Sequence, residues 1–386
     1  MRRSWEILDA FQDAAAEIGI PKTDDFNTGN NEGCGYFQVN QNKGVRWTSA
    51  KGFLKPVMDR PNLTVFTKAQ ATGLVLEGKR CVGVDITWGG KAGRVNANAE
   101  VILSAGSIGS PQLLQLSGIG PGPVLAGHGI DVKHDLKGVG ENLQDHLQIR
   151  TVYKVKNTKT LNERANSIIG KMGIGLEYFL FKRGPMTMAP SQLGVFTKSD
   201  DSRETPNLQY HVQPLSLDKF GEPLHDFPAI TASVCNLRPD SRGHIRIKSP
   251  DTRAKPSIRP NYLSAESDRQ IAANALKLTR RIVGAKAMAR YAPEEHLPGP
   301  QVSSDEDLAR AAGDIATTIF HPVGTCKMGQ DDMAVVDDRL RLRGMAGLRI
   351  ADASIMPTIT SGNTNSPTIM IAEKAARMMK EDRADK

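Results

Sequence analysis

The chain has 386 residues, a formal charge of +8, and 39 % hydrophobic and 24 % charged residues. These are ordinary values for a globular protein with a sizeable core, organised as two domains or one large composite. The cations are scattered, so a nucleic-acid patch is not supported, and no apolar run reaches the roughly 18 residues of a membrane span. Peripheral association with a membrane surface is left open. The cysteines, Cys34, Cys81, Cys235 and Cys326, form no CxxC pair and read as reduced thiols of a cytoplasmic protein rather than a zinc or disulfide framework. The start, Met1-Arg2-Arg3-Ser4-Trp5, lacks the apolar core of a signal peptide.

In chain order, Trp5, Leu8, Phe11, Ala15 and Ile18 follow helical spacing, with Ser4 as cap and Gly19 as stop. Asp24 to Thr48 is rich in Gly and Asn and reads as irregular. Leu63–Thr67, Ala71–Leu76, Val82–Trp88 and Val101–Ser104 read as strands, separated by the turns Glu77-Gly78-Lys79 and Gly89-Gly90-Lys91. Ser110 and Pro111 fit the cap and first position of a short helix, ended by Ser117-Gly118. A strand, a glycine turn and a helix bring backbone N–H groups up to a phosphate or ring edge, although an ordinary strand-to-helix turn has the same shape. The middle of the chain is mixed. His244–Lys248 alternates as a half-buried strand, Asp268 to Ala285 has helical spacing, and Ser199–Glu204 reads as a surface loop. Near the end, Leu348–Ala351 is strand-like. A helix then starts at Ser366 and Pro367, with an apolar face of Ile369, Ala372, Ala376 and Met379 and a Glu373–Arg377 pair.

The chemistry concentrates in two segments. His321-Pro322-Val323-Gly324-Thr325-Cys326-Lys327-Met328-Gly329 sets one imidazole among turn-forming residues. Ser361-Gly362-Asn363-Thr364-Asn365-Ser366-Pro367 places Asn363 42 residues beyond His321. If the two meet, a proton acceptor and a fixed amide stand side by side, which suits proton removal from an alcohol. A lone histidine is more often a core residue than a base; the glycine-bearing surroundings argue for the base. Asp145-His146 reads as a structural pair or a loop contact, because sequence neighbours rarely face one another. Neither an HExxH nor a GxSxG motif is present.

Four ordered blocks carry a resemblance. Gly106-Ser107-Ile108-Gly109-Ser110-Pro111 through Gly120 resembles the second signature of the glucose-methanol-choline (GMC) oxidoreductases. His321–Gly329 resembles that family's catalytic histidine segment. Ala351–Pro357 with Gly362–Thr368 resembles its C-terminal flavin segment, and Gly138–His146 a recurring block. The chain is most similar to the bacterial choline dehydrogenase and alcohol dehydrogenase branch.

The resemblance implies an FAD enzyme that oxidises an alcohol by hydride transfer to flavin N5. His321 would be the base, and Asn363 the second catalytic position, able to hydrogen-bond the substrate oxygen but not to titrate. It implies FAD contacts at Ala71 (adenine), Ala105 and Gly106 (adenosine and diphosphate), Asp352 and Ala353 (ribityl–diphosphate chain), and Asn365 and Thr368 (isoalloxazine pyrimidine). A helix starting near Pro367 would turn its positive end towards flavin N1 and O2. The implied fold is an α/β flavin-binding part, an incomplete Rossmann-like domain, plus an α+β substrate domain with an antiparallel sheet flanked by helices. The expected division is 1–50 on the substrate side, 51–146 for FAD, 147–319 for substrate, and 320–386 for the catalytic and C-terminal FAD segments. The family's opening GxGxxG is absent; Gly118-Ile119-Gly120 comes closest, with Pro123 at the last glycine position. The expectation is therefore a copy lacking its N-terminal nucleotide-binding unit. The rival expectation is an inactive, cofactor-poor fragment acting as an interaction module. No motif names the alcohol or the electron acceptor, quinone or oxygen.

Overall fold

The computed structural model describes residues 4–189, 191–219 and 221–384; the start Met1–Arg3 lies outside them. The chain builds two compact units from interleaved segments. One holds the described residues through Thr64, Leu147–Asn236 and Glu266–Thr317. The other holds Val65–His146, Leu237–Ala265 and the described residues from Thr318 onward. Residues 51–64 thus lie in the first unit and 237–265 in the second.

The first unit is built on a seven-stranded sheet ordered Gly33–Tyr36, Leu193–Thr197, Leu208–Gln213, Ala229–Asn236, Leu147–Lys154, Glu294–Leu297, with Ala316–Thr318 also on Leu147–Lys154. The five pairings along this order are antiparallel. Gly33–Tyr36 falls inside the stretch expected to be irregular; its pairing with Leu193–Thr197 supplies the ladder that its composition does not advertise. On one face of the central strands the residues are largely apolar, with Tyr210, Val212 and Val234 buried. There the Tyr210 hydroxyl donates to the Ala275 carbonyl and accepts from Thr279, which locks on the helix Glu266–Val283. The opposite face carries Gln148, Arg150, Gln209, His211 and Ser233, all buried.

The first helix, Glu6–Glu17, buries Leu8, Phe11 and Ala15 as its spacing predicts, but its cap is Trp5, not Ser4, and the Trp5 N–H donates to the Tyr36 hydroxyl at 3.2 Å. Leu63–Thr67 is not a strand: Val65 and Phe66 are exposed, and no neighbour offers a ladder, so β propensity alone is insufficient.

The second unit joins an antiparallel three-stranded sheet, Ala69–Glu77, Arg80–Trp88 and Lys91–Asn96, to a parallel pair, Val101–Leu103 with Leu348–Ile350. Parallel pairing of strands so far apart in sequence is an α/β feature. A helix follows each strand of the pair. The helix after Leu103 runs Gly106–Leu116, so it starts five residues before the expected Pro111, which lies inside it. Proline there leaves the Ser107 carbonyl without its helical donor; the Thr325 hydroxyl donates to that carbonyl at 2.6 Å instead. Ser110, expected as the cap, accepts from the Ala105 N–H and donates to Asp352. The last helix runs Asn365–Ala384 and buries Ile371 and Ala375, with Met378 against the core, while Ala372 and Ala376 are exposed. Its rotation is set by ion pairs. Asp382 meets Arg339 at 2.7 Å and the buried Arg349, which also holds Glu100. Arg377 therefore pairs with Glu381 at 3.0 Å rather than with Glu373.

Candidate active site

His321 and Asn363 meet within the second unit: Asn363 Nδ2 lies 3.4 Å from His321 Nε2. Three segments are stitched together to achieve this. The Gly138–His146 block bridges the histidine segment through reciprocal backbone bonds between Gln144 and Val323. The Gln144 side chain donates to the Pro357 carbonyl and accepts from the Ile359 N–H, and Asn142 Nδ2 donates to the Gly324 and Pro357 carbonyls. Gly324 has φ +90°, and a Cβ there would lie 2.6 Å from the Asn142 carbonyl oxygen, so only glycine lets these strands of chain pass. On the Asn363 side, Arg238 Nε donates to Ser361 Oγ at 2.6 Å.

The residue before the histidine is strained. Phe320 sits at φ +64°, a left-handed conformation rare for a bulky residue. It is pinned on both sides: its N–H donates to Thr318 Oγ1, and the His321 N–H donates to Asp145 Oδ1 at 2.9 Å. Asp145 also accepts from the Tyr262 and Thr318 hydroxyls. Burial pushes its carboxyl above the usual carboxylate range, against the lowering effect of these donors.

The ring of His321 has a defined tautomer by elimination. His146 Nε2 lies 3.3 Å from the Leu237 carbonyl, which can only accept, so in neutral His146 that nitrogen carries the proton. His146 Nδ1 is then the acceptor in its 3.1 Å contact with His321 Nδ1, which must donate. His321 is left with a bare Nε2 facing Asn363. Burial pushes its pKa down to about 4, so the ring is neutral at neutral pH and its Nε2 lone pair accepts the long contact from Asn363 Nδ2. His321 is buried while Asn363 is exposed, so the pair opens outward on the amide side.

Four of the expected cofactor residues also converge. The Gly106 N–H donates to Asp352 Oδ2 at 2.9 Å, Ala105 caps the same helix, and the Ala353 carbonyl accepts from the Gly324 N–H. The Asp352 carboxylate is already committed to Gly106, Ser110 and Ser354, so it braces the loop rather than offering free oxygens. Gly106 has φ +77° and nothing within 4 Å of where a Cβ would stand, and beside it the buried Ser107 hydroxyl has no partner among the described residues. An open backbone edge, an unpaired hydroxyl and a helix N-terminus suit an anionic group. Ala71 lies on the strand Ala69–Glu77, opposite Ile86, packed against the core. Asn365 is the exposed first residue of the last helix, and the Thr368 hydroxyl donates to the Thr364 carbonyl. Sequence reasoning gave no role to Tyr262 and Thr318, and read Asp145 and His146 only as a structural pair or a loop contact. Asp145-His146 stood out, but its partners Leu237 and His321 lie 91 and 175 residues away from His146, beyond any local signal.

Family models described as GMC oxidoreductase match residues 3–148 and 239–372, well over half the chain. The chain belongs to the GMC oxidoreductase family. It is 43 % identical over 373 residues to an alcohol dehydrogenase [acceptor] of Pseudomonas putida, covering 96 % of this chain and 67 % of that protein. It is 42 % identical over 372 residues to an oxygen-dependent choline dehydrogenase of Photobacterium profundum, covering 96 % and 65 %. The chain thus spans about two thirds of the length of these GMC relatives. Among solved structures, pyridoxine 4-oxidase from Mesorbium loti superposes with a TM-score of 0.86 at 29 % identity, covering 97 % of this chain and 70 % of that one. The four cysteines are buried thiols outside any disulfide, and among the described residues no helix is long and apolar enough to cross a membrane.

Proposed function

We propose that this GMC oxidoreductase oxidises an alcohol to the aldehyde or ketone with FAD as cofactor and His321 as base. The observation that carries this reading is the neutral, desolvated His321 presenting Nε2 beside Asn363. Two nitrogens 3.4 Å apart can both lie within hydrogen-bond distance of one oxygen. The alcohol hydroxyl would donate to His321 Nε2 while Asn363 Nδ2 donates to the same oxygen, fixing it. As the carbon–oxygen double bond forms, His321 takes the proton and becomes imidazolium.

Ala105, Gly106 and Ser107, with the Asp352–Ala353 loop braced behind them, would hold the diphosphate and adenosine side of FAD. Asn365 and Thr368 would stand near the ring. When bound, FAD supplies the hydride acceptor, N5. The parallel strands Val101–Leu103 and Leu348–Ile350 with their helices support reading this unit as a Rossmann-like FAD-binding layer.

The test supplies the purified chain with FAD, a series of primary and secondary alcohols and an artificial electron acceptor. FAD binding is followed by fluorescence and turnover by acceptor reduction. His321→Ala should keep FAD binding and lose turnover. Full turnover in that variant would sink the assignment of the base.

A further inference from the structure

The helix Ile168–Phe181 is turned the wrong way out for a globular protein. Its one buried residue is Ile174. Ile168, Ile169, Met172, Leu176, Phe179 and Leu180 are each between 61 % and 83 % exposed. At about 100° per residue these six fall within an arc of roughly 120°, a complete apolar face presented to solvent. Scattered exposed hydrophobics need no explanation; a contiguous face of this size does. The helix lies between the two stretches that the family models match, so the family's shared sequence does not account for it.

The rim of this face is basic. Lys171 flanks it, and Lys182 and Arg183 follow its C-terminal end, with Lys182 Nζ 4.6 Å from the Tyr178 ring and 5.6 Å from that of Phe179. The hairpin of Gln41–Asn42 and Val45–Arg46 adds more. Its Gly44 is pressed so close that a Cβ would lie 2.2 Å from the Lys182 carbonyl oxygen, which brings the exposed Lys43 and Arg46 to the same end. Among the described residues none of these five cations joins an ion pair, and the one carboxylate on the helix, Glu177, is held by Arg164 at 3.8 Å.

We propose that this helix lies flat on an anionic phospholipid surface, with its apolar face in the acyl boundary and its basic rim at the headgroups. Fourteen residues make about 21 Å of helix, too short to cross a bilayer but suited to lying in its interface. Charge decides against a second copy of the chain as the occupant. A two-fold dimer would set this patch against itself and bring Lys171, Lys182 and Arg183 up to their own copies; an anionic surface complements them. The inference does not depend on the catalytic reading.

The experiment is co-sedimentation of the full chain with vesicles of equal parts phosphatidylglycerol and phosphatidylcholine, and with pure phosphatidylcholine vesicles. Binding should be at least about tenfold weaker to the neutral vesicles, and weakened on the anionic ones by high salt and by Lys182→Glu with Arg183→Glu. The triple variant Ile169→Ser, Leu176→Ser, Phe179→Ser, checked for folding by circular dichroism, should lose binding to both. Three outcomes overturn the proposal. They are wild-type chain that ignores both vesicles, a folded triple variant that binds like wild type, and a dimer in light scattering that the triple variant dissolves.

Discussion

Two histidine clusters, one in each unit, look alike as lists of contacts and differ in everything that decides chemistry. His225 lies between Ser216, 2.9 Å from its Nδ1, and Asp218, 3.0 Å from its Nε2. His321 lies between another imidazole and an amide. On residue type alone the first is the better catalyst. Yet the Ser216 hydroxyl is fully buried and accepts from Asn162, whose Oδ1 accepts the Ser216 N–H, so this cluster fastens a loop to the helix Leu161–Asn166. The Asp218 side chain is 68 % exposed, so its pull on His225 is diluted by water. His321 has a desolvated ring, a tautomer set from behind and an outward-facing partner. Access and desolvation, not the presence of a serine and a carboxylate, separate a candidate base from a structural tie.

The sharpest way to break the comparison is to remove the candidate base. With FAD and substrate supplied, His321→Ala should lower kcat by about 10²- to 10⁴-fold, the usual contribution of a positioned general base. A loss below about tenfold would mean that another group takes the proton.

How much of this was legible beforehand follows the range of the contacts. His321 and Asn363 stand out because their segments hold unusual residue types, Gly106 and Asp352 because their blocks resemble the family's, and the structure brings each pair together. The rest depended on partners far along the chain. The helix from Gly106 tolerates Pro111 because Thr325, 218 residues from Ser107, takes the stranded carbonyl. The last helix is rotated by the Asp382 pairs with Arg339 and Arg349, which a count of apolar spacings does not register. The outward face of Ile168–Phe181 carries no motif that marks it, because spacing gives a face but not the side from which it is covered.

The elimination that leaves Nε2 bare makes His146 a positioning residue. His146→Leu removes the acceptor for His321 Nδ1–H and frees the ring to hold its proton on either nitrogen. The expected result is a kcat loss of about 10- to 10²-fold with KM little changed, in line with other groups that orient a working histidine from behind. An unchanged kcat in a folded variant would show that the tautomer does not depend on His146.

Stability should report the same desolvation. His321 titrates at about 4 in the folded chain, against about 6.5 unfolded. Between those values the unfolded state binds more protons, so stability falls as pH drops through this window and levels off below it. The loss amounts to about 3 to 4 kcal/mol at most, at roughly 1.4 kcal/mol per pH unit. Asp145, raised by burial, acts in the opposite sense: its stabilising contribution is present at low pH and is lost as pH rises. Comparing denaturant midpoints of wild type and His321→Gln from pH 7 to pH 4 isolates the histidine. A constant difference across that range would contradict a desolvated ring.

The smallest expected effect tests the other half of the comparison. His225→Gln removes the imidazole between Ser216 and Asp218 and should leave kcat and KM within about twofold of wild type. It should cost about 1 kcal/mol of stability, the usual net worth of a lost hydrogen bond, read as a lower denaturant midpoint with an unchanged slope. The hydroxyl it abandons keeps its contact with Asn162, so the penalty stays near that value rather than that of an orphaned buried group. A large loss of turnover without loss of stability would reverse the assignment and make the cluster of the first unit, serine and carboxylate included, part of the chemistry after all.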